Sequence, residues 1–172
     1  MISFDRDQLI ITRILPEYYE ANLDLLNVTI RESHFLARRN EISLEESNYF
    51  MKNVLNYPNT IYLIALYLDK VIGHISAIPR FEDLLEHVLN IGYLVHRDFR
   101  GKQVGTRLME QLIIEAKTQG RVKILVAEVA EDNLVSISLL KKFKFTEFGR
   151  LPCGMMKKDE SFVDLLYYSK HL

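Results

Sequence analysis

Cysteine is nearly absent. The single Cys153 excludes an internal disulfide and a cysteine metal cluster, and it suits a reducing compartment. Glycine and proline are scarce, at 7 and 4 of 172 residues, and together with 48% hydrophobic and 26% charged residues this excludes a disordered chain. An excess of one charge is missing too: 22 Lys plus Arg stand against 23 Asp plus Glu, so no overall field favours nucleic acid or an anionic membrane. Any anion site must therefore be local. No apolar run reaches the roughly 18 residues of a membrane span, and the opening MISFDRDQLI lacks the basic-then-apolar pattern of a leader. His34, His74, His87 and His96 are scattered without ligand-like spacing, so no metal is expected. These absences predict a cytoplasmic protein with no nucleic-acid or membrane partner.

What is present fills one domain, residues 1–172, with a well-supplied core. QLIITRI (8–14) reads as a strand, and Pro16 opens a helix whose Tyr19, Leu23, Leu26 and Ile30 recur at spacings of three and four. SLEESNYFMKNVLN (43–56) carries Ser43 and Glu46 in capping-box register, and Pro58 closes it. Two β-rich runs in 61–79 read as a hairpin joined at Asp69 and Lys70, followed by a strand over 87–95. A helix with Leu108, Met109, Leu112, Ile113 and Ala116 on one stripe ends at Gly120. VKILVAEVA (122–130) reads as a strand buried on both faces, 132–143 as a helix with a polar N-cap, and 162–172 as a closing strand. The order is strand, two helices, three strands, helix, strand, helix and a terminal hairpin.

The stretch VHRDFRGKQVGTRLM (95–109) stands where a strand, a loop and a helix meet. First-turn amides without intrahelical partners, the positive end of the helix dipole, and Arg97, Arg100, Lys102 and Arg107 together suit a phosphate or pyrophosphate. Gly101 and Gly105 let backbone approach a ligand closely. The P-loop pattern GxxxxGK[ST] is absent, and so is the three-glycine dinucleotide fingerprint.

Arg100, Gln103 and Gly105 within that stretch resemble the acetyl-CoA signature of the GNAT superfamily of N-acetyltransferases. EDNLVSISLLKKFKFTEFGRL (131–151) is similar to the family's second block, and the tail resembles the phosphinothricin-acetyltransferase-like branch that acts on small amines and amino acids. The resemblance implies an α/β GNAT fold: a mixed, mostly antiparallel central sheet of about seven strands, splayed between the fourth and fifth, with helices on both faces. It implies acetyl-CoA as cosubstrate and a small-molecule amine, amino acid or peptide amine as acceptor. The thioester would lie against the backbone of Leu94 and Val95, and the pyrophosphate on Arg100, Gly101, Lys102, Gln103, Val104, Gly105 and Thr106. Asn133 would meet the pantetheine arm and Lys142 the nucleotide 3′-phosphate.

Gln103 replaces the first motif Gly and Lys144 the Gly before the helix-closing Phe, and both proton-transfer positions also depart from the family pattern. The usual acid, a Tyr seven residues after the helix Asn, is Leu140 here, and the strand position where a Glu often serves as base is Asn90, which orients water but accepts no proton. Candidates to replace them are Glu86, expected on the strand face of Asn90, and Tyr93, Tyr167 or Tyr168, for each of which packing is the plainer reading. Three readings follow: a direct acetyl transferase, an acetyl-CoA-binding sensor or scaffold without turnover, and a binder of another nucleotide. The apolar DLLYY end suits a homodimer as readily as a core.

Overall fold

The computed structural model describes residues 4–172, so Met1 to Ser3 of the stretch searched for a leader lie outside the described residues. Eleven elements follow in the expected order: β1 (Leu9–Arg13), α1 (Tyr19–Glu32), α2 (Leu44–Val54), β2 (Ile61–Tyr67), β3 (Lys70–Pro79), β4 (Val88–Val95), α3 (Val104–Thr118), β5 (Ile124–Ala130), α4 (Leu134–Lys142), β6 (Thr146–Met156) and β7 (Phe162–His171). They build one seven-stranded sheet in the order β1-β2-β3-β4-β5-β7-β6. Only β4 and β5 run parallel, joined by the α3 crossover; every other neighbour is antiparallel. No helix among the described residues is long and apolar enough to cross a membrane.

Local chemistry explains the joints. Ser43 and Glu46 close the capping box on α2, each side chain accepting from the other's backbone N–H at 3.1 and 2.9 Å. The β2–β3 turn is formed by Leu68 and Asp69, both at positive φ, so Lys70 already belongs to β3 and the joint lies one residue before the expected pair. The α3 stripe of Leu108, Met109, Leu112 and Ala116 is fully sealed against Leu63, Ile75, Leu89 and Leu125 of the sheet, forming the main core. Ile14, Met51, Tyr62, Ile64 and Leu66 form a smaller core under α1 and α2 on the opposite face. Helices therefore cover both faces, as expected.

One strand differs from its sequence reading. β5 was expected to be buried on both faces, but Glu128 in its middle is exposed while Leu125, Ala127 and Val129 are buried. The face that carries Glu128 is open because α1 and α2 cover the sheet chiefly over β2 and β3.

Candidate active site

β4 and β5 pair only from Val88 to Ile91 and from Ile124 to Ala127, after which the strands part. The backbone beyond that point decides what the gap contains. Arg80 N–H donates to the Val88 carbonyl (3.2 Å) and His96 N–H to the Ile72 carbonyl (2.8 Å), which puts the even-numbered residues of β4 in the hydrogen-bonded pairs with β3. By alternation, Tyr93 and Val95 direct their N–H and C=O groups to the β5 side, where the strand has left. Arg100 Nε reaches the Val95 carbonyl at 3.1 Å, in keeping with that direction. Leu94, expected beside Val95, instead spends its backbone groups on β3 opposite His74.

The loop after β4 delivers the next layer. Gln103, at φ 65° and ψ 11°, turns the chain into α3, and among the described residues no side chain caps that helix. The N–H groups of Val104, Gly105 and Thr106 thus lack intrahelical acceptors. A Cβ built on Gly105 would meet nothing closer than Leu139 Cδ2 at 3.6 Å, so packing within the protein does not require glycine there. The space in front of that helix turn is free for a ligand, which fits an anion drawn by the dipole. Gly101 has φ +74°, where glycine alone is unstrained.

A groove of about 480 Å³ joins these parts. Leu94, Val95, Arg100, Gly101, Gln103 and Val104 line it from the strand and loop, with Gly105 and Thr106 from the first turn of α3 and Asn133 and Lys142 from α4. Asn133 Oδ1 caps α4 by accepting from Ser136 N–H at 3.2 Å, which leaves its Nδ2 as a donor. Lys102 is not brought in. Its ammonium lies over the rings of Phe4 and Phe99, 5.3 and 5.1 Å from their centroids. The far wall is formed by Thr29, Ser33, Phe35 and Leu36 from the end of α1 and the segment after it, residues that no motif marks.

Of the proton-transfer candidates, Asn90 lies on the opposite face of the parting. Asn90 is exposed and lines a second recess of about 480 Å³ with Ser76, Arg80, Glu82 and Gly92. Glu86 does not share its strand face: it ends a single 3-10 turn (Asp83–Leu85), two residues before β4 begins, so the alternation that would align it with Asn90 is broken. The carboxylate that does share the face is Glu128. It lies two residues beyond Val126, the β5 partner of Asn90, and pairs with Tyr167 of β7. Sequence reasoning missed it by reading β5 as wholly buried. Leu140 is fully buried in the main core. Tyr168 donates to Glu147 at 3.1 Å, away from the groove, whereas Tyr93 lines the groove and donates to the Ser136 carbonyl at 3.4 Å. Burial raises the Tyr93 phenol above its ordinary range, offset in part by the nearby Ser136 side chain.

Known proteins share the sequence pattern and the fold of this chain. Residues 25–145 match the model of the acetyltransferase (GNAT) family. The N-acetyltransferase aca1 of Schizosaccharomyces pombe is 29% identical over 94 residues, 54% of this chain and 45% of that protein, so the match spans under half of the relative's length. The crystal structure of ribosomal-protein-alanine N-acetyltransferase from Brucella melitensis superposes with a TM-score of 0.87 at 26% identity, covering 95% of this chain and 99% of that one. A phosphinothricin acetyltransferase from Sinorhizobium meliloti, solved with acetyl-CoA, shares the fold with a TM-score of 0.88 at 16% identity, covering 96% of this chain and 89% of that one.

Proposed function

The chain belongs to the GNAT family of acetyltransferases, and from that premise we propose that it moves an acetyl group by direct transfer from acetyl-CoA to the primary amine of a small molecule, amino acid or peptide. The observation that carries this reading is the coincidence, in one groove, of the β4–β5 parting with the uncapped first turn of α3. An apolar, strand-like arm fits the first and a pyrophosphate the second. The N–H groups of Val104, Gly105 and Thr106, with the Arg100 side chain, would hold the diphosphate, Asn133 Nδ2 the arm, and Lys142 the outer phosphate.

Acetyl-CoA supplies the activated acyl group, and the chain supplies position and charge. Tyr93 N–H points into the gap, where it would donate to the oxygen of the tetrahedral species. Glu128 would accept the amine's proton from the opposite face, directly or through water that Asn90 orients. The whole chain is read as one catalytic domain, working in the cytoplasm.

The test is release of CoA thiol from acetyl-CoA by the purified protein across free amino acids, polyamines, aminoglycosides and peptides with a free N-terminus. Release with one class names the acceptor. Binding of acetyl-CoA without release across the panel would overturn direct transfer in favour of a binding protein.

A further inference from the structure

The geometry points to the phenolic hydroxyl of Tyr93 as the proton donor to the departing sulfur, a catalytic acid supplied by β4 instead of α4. This rests on the acetyl-transfer reading above. Tyr93 is the second residue past Ile91, where β4 and β5 separate, so its backbone faces the gap while its side chain crosses to the first turn of α4. The ring thus lies against the channel that a thioester between the strands would occupy, and Tyr93 lines the groove beside Val95 and Asn133.

Three observations favour this hydroxyl. Its bond to the Ser136 carbonyl is 3.4 Å, well beyond the usual O–H···O distance of about 2.7 Å, so turning the proton to a ligand sacrifices little. A phenol is protonated at neutral pH, and burial only tightens its hold on that proton, so the group is in the donor form when the substrate binds. α4 offers no better acid, since Leu140 is sealed in the core and has no proton to give. Ser136 and Ser138 also line the groove, but an aliphatic hydroxyl is a far weaker acid than a phenol.

In the step, the amine nitrogen bonds to the carbonyl carbon and the carbon–sulfur bond breaks with its electron pair on sulfur. The Tyr93 proton passes to that sulfur, giving CoA thiol. The tyrosinate then regains a proton from solvent, which receives the one the amine lost, so the sum is amine plus thioester to amide plus thiol.

Tyr93→Phe removes only the hydroxyl and is tested in two ways. The first needs no acceptor: wild type and variant are titrated with CoA, desulfo-CoA and acetyl-CoA at about pH 9.5, toward the range in which an alkyl thiol, less acidic than cysteine, ionises. Wild type should prefer CoA over desulfo-CoA by roughly tenfold, as a hydrogen bond to a charged sulfur implies, and the variant should lose that preference while keeping acetyl-CoA affinity. The second uses the best acceptor of the amine panel, for which kcat should fall roughly 10²- to 10⁴-fold with little change in KM. Unchanged discrimination between CoA and desulfo-CoA, or equal weakening of all three ligands, overturns the inference and leaves Tyr93 a packing residue that braces α4. Lost discrimination in a protein that turns over no amine would retain the sulfur contact and sink the transfer reading instead.

Discussion

Asn22 of α1 and His74 of β3 meet between the helix and the sheet, the amide oxygen 2.8 Å from the imidazole Nδ1. Asn22 Nδ2 also donates to the Tyr62 hydroxyl at 2.9 Å, and all three side chains are buried, so a closed polar triad fixes α1 onto the sheet. With the amide accepting, Nδ1 carries the single imidazole proton. Since His74 pairs with Leu94, the triad sets how α1 stands over the strand that lines the groove.

That triad predicts an acid-labile fold. Burial depresses the His74 pKa from 6.5 to about 4, so the unfolded chain takes up a proton that the folded one refuses. The stabilisation is complete above pH 6.5 and is lost as pH falls from there to about 4, to a total on the order of 3 kcal/mol. Urea unfolding at pH 7 and pH 4.5 should show a larger loss for wild type than for His74→Gln, because carboxylate titration is common to both. Equal losses would mean that the imidazole is not held neutral.

Gly105 separates the needs of the fold from those of the ligand. An added methyl has room in the free protein, with its nearest contact at 3.6 Å, and a helical alanine replaces a poor helix former. Gly105→Ala should leave stability unchanged or raise it by up to about 1 kcal/mol, and Gly105→Glu should still fold. Both should weaken acetyl-CoA binding, the glutamate more, by placing a methyl or a carboxylate before the phosphate-binding amides. Calorimetry with acetyl-CoA checks this, and wild-type affinity in Gly105→Glu would move the pyrophosphate elsewhere.

Element order was legible because each segment keeps one period and is closed by its own signal, such as Ser43 and Glu46 for α2 or Gly120 after α3. The anion-ready loop was legible for the same reason: Gly101 and Gly105 mark backbone geometry that short spacing encodes, and Arg100 stands beside them. Which side chains reach the site depends on tertiary phase. Glu86 was misplaced because a 3-10 turn interrupts the strand alternation before Val88, and Glu128 was hidden because its openness depends on how far α1 and α2 extend across the sheet. The direction of Lys102 depends on Phe4, distant in sequence and brought near by β1 packing beside β2.

Lys102 provides a contrast with its neighbours in the loop. Its ammonium over Phe4 and Phe99 is a cation–π contact, and such contacts contribute about 0.5–1 kcal/mol at partly exposed sites. Lys102→Met should lower the melting temperature slightly and leave acetyl-CoA affinity near wild type, whereas Arg100→Met should weaken binding. If the Lys102 variant loses affinity as strongly as the Arg100 variant, the lysine leaves its aromatic cage when the ligand arrives.

Glu128 and Glu86 offer a direct comparison between the carboxylate that tertiary structure places and the one that alternation suggested. Glu128 shares the face of Asn90 at the strand parting, so loss of its charge should remove a proton acceptor without disturbing the groove on which the donor rests. Glu128→Gln should reduce kcat by roughly 10²- to 10⁴-fold while the Kd for acetyl-CoA stays unchanged. Glu86→Gln, altered at a turn before β4, should retain both. The reverse pattern would return the base to the β3–β4 connection. Full activity in both variants would mean that the acceptor arrives already deprotonated and that Asn90 orders the water taking up its proton.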